Sequence, residues 1–340
     1  MNSGLNSTIV HLAALASIFA ATAVGAQDRI RVGLSSVSAT NGSIWAAADR
    51  GLFKKHGVDV EVIVIGGGGA RVISALVAGE IQFTVGGGDG SIRSALRGAD
   101  VVIAASTFDT GVQRVMARAP IKTHQELRGK RIAITRFGSA SHLILQLMLK
   151  KWNMRTEDVQ MLQLGSSPAM LASLDKGGVD AAVLTIPTFF LAEERGYRAV
   201  GDPVNMEIFY LQNTLETSRA FLRKHRALAS RFMKGYIEGI AYFKRNHRDS
   251  LEILQKHLRI QSEQERDNRF LEMSYKLLVT SYFKEIPRPS IPAIQTVLDF
   301  VSFDEPKAKA ADPKSFVDES LVREHEESGF IKALYKGESR

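Results

Sequence analysis

Glycine gathers at two points where a strand pattern gives way to a helix pattern: Gly66 to Gly69, and Gly86 to Gly88 with Gly90, in IGGGGARVISALVAGEIQFTVGGGDG, residues 65 to 90. Bare backbone at such a corner lets N–H groups converge on an anion ahead of a helix N-terminus, so phosphate binding is the first chemistry to test. The spelling argues against a nucleotide. A P-loop requires Gly-Lys-Ser/Thr after its last spacer, whereas Gly69 runs into Ala70 and Arg71. A dinucleotide fingerprint requires a third glycine where the chain has Ser91. The steric reading, in which glycine permits tight turns and close helix packing, stays open. A third corner, TRFGSAS at 135 to 141, sets Arg136 three residues before hydroxyls that can cap a helix. The planar fork of Arg136 can donate two parallel hydrogen bonds to a carboxylate or sulfonate.

Catalytic signals are weak by comparison. Asp109, Thr110 and Gly111 spell the aspartic-protease triplet, but that chemistry needs a second apposed aspartate in a β-rich setting. Glu193 and Glu194 are adjacent, which puts them on different helical faces. The eight histidines lack ligand spacing, no Gly-x-Ser-x-Gly elbow occurs, and cysteine is absent. Of the histidines near corners, His56 suits a surface helix end and His142 a polar contact at a helix start. No enzyme activity, no cofactor and no metal site are expected.

These corners need elements to hold them. β-Branched runs such as RIRVGL, VDVEVIVI, IQFTV and VVIAAS alternate with helical patterns, which predicts parallel sheet covered by helices. A second series begins near residue 130 with KRIAIT, SHLILQLMLKKW, DVQMLQL, PAMLASLDKG and VDAAVL. The two series align in detail: Phe53 to Gly57 correspond to Leu149 to Asn153, and SALVAGEIQFTV to ASLDKGGVDAAV. Two related lobes follow, each strand-helix-strand-helix-strand, with Gly79 and Gly177 suited to the left-handed cap of the second helix. Such sheets bind ligands beyond the carboxyl ends of their strands. Six corners lie at that end: 35 to 43, 66 to 70 and 86 to 91 in the first lobe, and 135 to 141, 165 to 168 and 185 to 188 in the second.

The 340 residues, 45% hydrophobic and 24% charged, have ordinary globular composition with room for two cores. Residues 9 to 23 form an apolar run followed by Val24, Gly25 and Ala26, which predicts an export signal over residues 1 to 26 cleaved before Gln27. Residues 1 to 8 lack the usual Lys or Arg, and a buried N-terminal helix is the alternative. No other stretch is apolar enough to span a bilayer, so a soluble protein outside the cytoplasm is expected. The net charge of +8 is concentrated: residues 218 to 260 hold eleven Lys and Arg against Glu238, Asp249 and Glu252. Without aromatic platforms or a recognition motif beside it, that charge reads as solvated helix faces, and nucleic-acid binding is not expected.

The stretch WAAADRGLFKKHGVDVEVIVIGGGGARVISALVAGEIQFTVGGG, continued through ELRGKRIAITRFGSASHL, LDKGGVDAAVL and the tail FVDESLVREHEESGFI, resembles periplasmic solute-binding proteins of the nitrate, sulfonate and taurine class of ATP-driven importers. The resemblance runs from about residue 29 to 335. It implies a two-lobed α/β fold of the periplasmic-binding-protein type, each lobe a mostly parallel sheet flanked by helices, with the ligand between lobes. Two crossing segments near 107 to 113 and 203 to 213 would join lobe one (27 to 110 and 211 to 340) to an inserted lobe two (111 to 210). It also implies hinge closure on a small anion, presentation to a membrane permease and its ATPase, and a monomeric state. The same family includes pyrimidine-forming enzymes of thiamine synthesis that use a histidine and pyridoxal phosphate; such an enzyme, or a ligand sensor of the same fold feeding a membrane receptor, remains an alternative.

On this reading lobe one offers Ser35, Ser36, Asn41, Ser43 and the backbone N–H groups near Gly68, Gly87 and Gly88, with Trp45 either covering an apolar part of the ligand or belonging to the core. Lobe two offers Arg136, Gly138, Ser139, Ser141 and His142, then Thr185 and Thr188. Arg71 and Arg93 are expected to point along helix surfaces.

Overall fold

The computed structural model describes residues 29–65, 69–260, 265–302 and 304–336; the expected export segment and Gly68 lie outside them. The first repeat is β1 (Arg29–Leu34), α1 (Gly42–Asp49), α2 (Leu52–Lys55), β2 (Asp59–Val64), α3 (Gly69–Val77) and β3 (Phe83–Gly86), followed by α4 (Asp89–Leu96) and β4 (Val102–Thr110). After β5 (Arg114–Ala117) the second repeat is β6 (Arg131–Ile134), α5 (Ala140–Lys151), β7 (Gln160–Gln163), α6 (Ser167–Asp175) and β8 (Ala181–Leu184), then α7 (Thr188–Glu194) and β9 (Arg198–Gly201). The chain returns along β10 (Phe209–Thr217).

Two five-stranded sheets result, ordered β2-β1-β3-β10-β4 and β7-β6-β8-β5-β9. The helical crossovers of each repeat make three parallel strands, with Arg29 opposite Asp59 in the first and Arg131 opposite Gln160 in the second. The other two strands of each sheet pair antiparallel. Each sheet is thus mixed yet mostly parallel: among the described strands, four that are linked to one another by helical crossovers point one way, and β10 in the first sheet and β5 in the second, which are entered through the direct crossings, run against them. Residues 111–113 and 202–208 are those crossings, so the second sheet interrupts the first.

The repeat is visible in the backbone. Gly57 and Asn153, aligned above, both have positive φ (73° and 55°), and so do Gly79 and Gly177 (77° and 73°), each just past the last turn of its helix. Alternation sorts the side chains. In β6, Ile132 and Ile134 join the apolar cluster containing Leu143, Ile144 and Met148 of α5, while Ala133 joins the one containing Met170 and Leu174 of α6.

Lobe one carries the C-terminal helices: α8 (Arg219–Lys224), α9 (Arg226–Arg245), α10 (His247–Leu258), α11 (Glu265–Leu277), α12 (Ile291–Val301), α13 (Ser320–Glu327) and α14 (Phe330–Tyr335). Helix α9 packs on α1 at Gly239, where a Cβ would lie 2.6 Å from the Ser43 carbonyl oxygen. Phe232 of α9 stacks on Phe53 and Phe83 with centroids 5.0 and 4.1 Å apart. The basic stretch 218 to 260 is partly ion-paired: Arg226 to Glu324 at 2.8 Å and Lys256 to Asp49 at 2.8 Å. No described helix is long and apolar enough to cross a membrane.

Candidate functional site

The carboxyl ends of β1 and β3 and of β6 and β8 open onto one cleft of about 700 Å³, lined from both lobes. That volume is within the range of small-molecule sites, roughly 300–1,000 Å³. Its floor is the first crossing, which places Gln113 on the cleft, together with the start of β10, which places Tyr210, Gln212 and Asn213 there. The cause is a slip in strand pairing: Phe209 faces Thr110 while Asn213 faces Phe108, so residues 210–212 bulge out of register. A bulge of this kind re-aims side chains.

Lobe one reaches the cleft through the corner after β1 and the corner after β3. Ser38 caps the short turn Ala39–Asn41 and accepts from the Thr40 N–H at 3.3 Å, while Asn41 donates to the Ser36 carbonyl at 2.8 Å. The glycines of the second corner serve packing. A Cβ on Gly88 would sit 2.7 Å from Leu211 Cδ1, one on Gly86 3.0 Å from Ser35 Oγ, and one on Gly90 3.1 Å from the Gly69 carbonyl carbon. The last contact brings α3 and α4 together backbone to backbone, which supports the steric reading for the second glycine run and for Gly69. Gly88 also donates its N–H to the Leu211 carbonyl at 3.0 Å, so that group is used inside the fold. Asp89 opens α4 and accepts from the Tyr210 hydroxyl at 3.4 Å; desolvation raises its pKa. Behind the corner, Glu216 is 1% exposed and accepts from Thr214 Oγ1 at 2.7 Å and Ser91 Oγ at 3.2 Å. Burial pushes its carboxyl up to about 8.

Lobe two meets the cleft with hydroxyls and a guanidinium. Thr135, Arg136, Gly138, Ser139 and Ser141 line it together with Ser167 and Thr185. Ser139 sits at the N-cap of α5 without capping it. Its hydroxyl donates to the Arg136 carbonyl at 2.7 Å and accepts from Thr135 Oγ1 at 2.7 Å. Ser141 Oγ accepts from the Thr135 N–H at 2.9 Å. The first turn of α5 thus faces the cleft without a side-chain cap, whereas Ser166 caps α6 by accepting from the Ala169 N–H. An uncapped helix start attracts negative charge. Arg136 is exposed beside it.

Of the residues expected at the site, Ser35, Ser36, Asn41, Gly87, Arg136, Gly138, Ser139, Ser141 and Thr185 are brought to the one cleft. Several are placed elsewhere. Trp45 is 2% exposed and Ser43 3%, because both face α9 and α10 on the inner side of α1; Trp45 stacks on His257 at 4.5 Å. Gly88 is buried against Leu211. His142 accepts the Gly138 N–H on Nδ1 at 3.0 Å and packs edge-on to Phe137, and burial depresses its pKa, so it supports the turn as a neutral ring. Thr188 opens into a separate apolar groove with Leu171, Leu191, Ile260 and Phe270. Arg93 lines the cleft instead of running along a surface, and pairs with Asp304 at 3.5 Å. Arg97 also lines the cleft and donates to Glu305 at 2.7 Å. Asp89, Gln113, Tyr210, Gln212 and Asn213 went unread in the sequence. Only Asp89 had a local signal, an acid inside a glycine corner.

The catalytic-looking pairs are occupied by structural work. Asp109 accepts from Lys284 at 2.6 Å, and Glu193 and Glu194 take Arg114 at 3.1 Å and Arg269 at 2.5 Å. His56 pairs with Glu238 at 2.7 Å. Among the described residues no cluster of three or more His, Asp or Glu could hold a metal ion.

A family model described as "NMT1/THI5 like" matches residues 40–249, more than half of the chain. Two curated relatives have "putative" binding-protein names. One, a binding protein of Brucella abortus (strain 2308), is 29% identical over 163 residues, 48% of this chain and 50% of its own length. The other, an aliphatic sulfonates-binding protein of Escherichia coli (strain K12), is 26% identical over 247 residues, 71% of this chain and 75% of its own. The chain spans about half the length of the Brucella relatives it matches. Among solved structures, the periplasmic aliphatic sulphonate binding protein of Escherichia coli superposes with a TM-score of 0.71 at 20% identity, covering 87% of this chain and 99% of that one. That likeness shows a shared two-lobed fold.

Proposed function

We propose that this chain, which belongs to the NMT1/THI5-like family, is the extracytoplasmic solute-binding subunit of an importer, and that it captures a small organic anion between its lobes. The observation that carries this reading is the lobe-two corner: the uncapped start of α5, the hydroxyls of Ser139 and Ser141, and the Arg136 guanidinium face one interlobe cleft. A single helix start favours an anion by only about 0.3–1 kcal/mol, whereas micromolar binding needs about 8, so the guanidinium and the hydroxyls must contribute much of the rest. The sulfonate-binding names of the Escherichia coli relatives support the same class of ligand. Ser35, Ser36, Asn41 and Gly87 complete the grip from lobe one, and Thr185 from lobe two.

Closure about residues 111–113 and 202–208 would bring the lobes together and shield these polar contacts from water, which strengthens them. The closed monomer would then dock on a membrane permease with its ATPase. Export with cleavage before Gln27 belongs to the same reading, and N-terminal sequencing of the secreted protein tests it. The pyrimidine-forming alternative calls for a reactive lysine beside a histidine in the cleft, and the described lining residues include neither.

Calorimetric titration with alkanesulfonates and alkanecarboxylates tests the function, with small-angle scattering on the same samples. Binding with compaction supports ligand capture. Absence of binding across both series removes the anion, and binding at an unchanged radius removes closure.

A further inference from the structure

The start of β10 has a second face. Neighbouring residues of a strand point to opposite sides, and here Tyr210 and Gln212 line the cleft while Phe209 lines a separate groove of about 610 Å³. The walls of that groove come from different lobes: the C-terminal half of α5, with Lys150 and Lys151, and α12, with Asp299 and Phe300. Glu207, at the end of the second crossing, lines it as well.

The groove holds groups that lack their natural partners. Its charges are sorted by lobe: Lys150, Lys151 and Arg155 belong to lobe two, Asp299 to lobe one and Glu207 to the crossing, yet among the described residues no ion pair joins the two signs across it. Arg155 reaches Asp158 at 3.8 Å, and Asp299 accepts from Gln295 of its own helix at 2.7 Å. Phe209 is 47% exposed, and the amide oxygen of Gln146 on the α5 wall is buried without a partner. Glu207 has φ of 50°, a left-handed backbone that is costly for a residue with a side chain and is found where segments switch. One basic and one acidic wall complement each other better than they complement a ligand of either charge. Lobes that turn about residues 111–113 and 202–208 cannot narrow gaps on opposite faces of the hinge at once, so this groove narrows as the cleft widens.

We propose that the groove is a latch for the open form: as the cleft opens, α5 closes on α12, Phe209 is covered, and Lys150 and Lys151 pair with Asp299 and Glu207. Ligand capture must break that contact before the lobes close. The proposal rests on the closure reading above and adds what opposes closure. A latch that favours the open form lowers apparent affinity by the factor by which it depletes the closed form. Exposed ion pairs contribute little, so most of its strength lies in covering Phe209.

The chain has no cysteine, so Lys150→Cys combined with Asp299→Cys adds the only two thiols. They can bridge only when their Cα atoms come within about 7 Å. Under mild oxidation the ligand-free double variant should form an intramolecular disulfide, and saturating alkanesulfonate should slow its formation. The oxidised protein should lose affinity roughly tenfold or more in calorimetric titration, with recovery on reduction. Phe209→Ala should tighten alkanesulfonate binding roughly three- to tenfold. No disulfide in the folded double variant, formation as fast with ligand as without it, or an oxidised protein that binds like the reduced one overturns the latch and leaves capture standing. A parent chain that binds no alkanesulfonate or alkanecarboxylate overturns capture and the latch with it. If the double variant does not fold, Phe209→Ala decides, and unchanged or weaker binding overturns the latch.

Discussion

The two β-α-β-α-β repeats share strand order and left-handed caps, yet they meet the cleft with different materials. The first spends its corners on packing: Gly90 lies against Gly69, Gly88 against Leu211, and Glu216 is buried as a carboxyl behind them. The second keeps its corner open, with the hydroxyls of Thr135, Ser139 and Ser141 bonded to one another and Gly138 held by His142. Among the described residues seven α-helices follow β10, and α9 and α10 pack on α1 of the first lobe. Duplicated topology therefore leaves the chemistry of a corner free, and the lobe that must pack its corner most tightly has less backbone to offer a ligand.

The difference breaks most visibly at Glu216. Its folded-state pKa is raised from 4.5 to about 8, so stability is full below about 4.5, where both states are protonated. It is lost as pH rises toward 8, because the unfolded carboxyl ionises first. Glu216→Gln should flatten that decline by an amount on the order of a few kcal/mol. Denaturant melts of both proteins from pH 5 to 9 measure it, and parallel curves would return Glu216 to an ordinary solvated acid.

Arg136→Ala should weaken binding of an anionic ligand by roughly ten- to a hundredfold, with stability unchanged, and Arg136→Lys should restore only part of it because a point charge lacks the fork. Calorimetric titration decides. Full affinity in Arg136→Ala would move the anion to lobe one.

Gly90→Val should have the opposite profile, costing about 1–3 kcal/mol of stability because the added carbons meet Gly69 backbone rather than a movable side chain. Its lobe-two counterpart is milder. A Cβ at Gly138 meets nothing within 4 Å, but φ is +77°, so Gly138→Ala should cost about 1–2 kcal/mol through backbone strain. Thermal melts of the two variants sharpen the contrast, which fails if Gly138→Ala is the more damaging. Smallest of all, Arg93→Ala should change stability by about 0–1 kcal/mol, since its partner Asp304 is 72% exposed. A large loss of binding in that variant would show that lobe one grips the anion as well.

Much of this was legible from local pattern. Period-two and period-3.6 alternation located the strands and helices of both repeats, and the left-handed caps expected at Gly79 and Gly177 are present; Gly57 and Asn153, aligned in sequence, are left-handed as well. Arg136, Gly138, Ser139 and Ser141 could be read as one corner because six consecutive residues place them there. Ser43 was placed at the site in error and Trp45 was left undecided, since the sequence shows that α1 has an inner face but not that α9 and α10 cover it. The hinge floor was the largest omission. Tyr210, Gln212 and Asn213 sit in a strand whose alternation looks ordinary, and no local signal marks a register slip.

By itself the sequence determined what short-range physics controls: the two repeats, their caps, the positions of the corners and the charge at the lobe-two corner. Tertiary structure alone decided which corners share a cleft, that Gly90 is met by the Gly69 backbone and Gly88 by the Leu211 side chain, and that Asp89, Gln113 and Asn213 line one cleft. The reason is separation along the chain. Asn213 bonds to Thr40 across 173 residues, and Tyr210 meets Asp89 across 121, distances over which composition and periodicity have no memory.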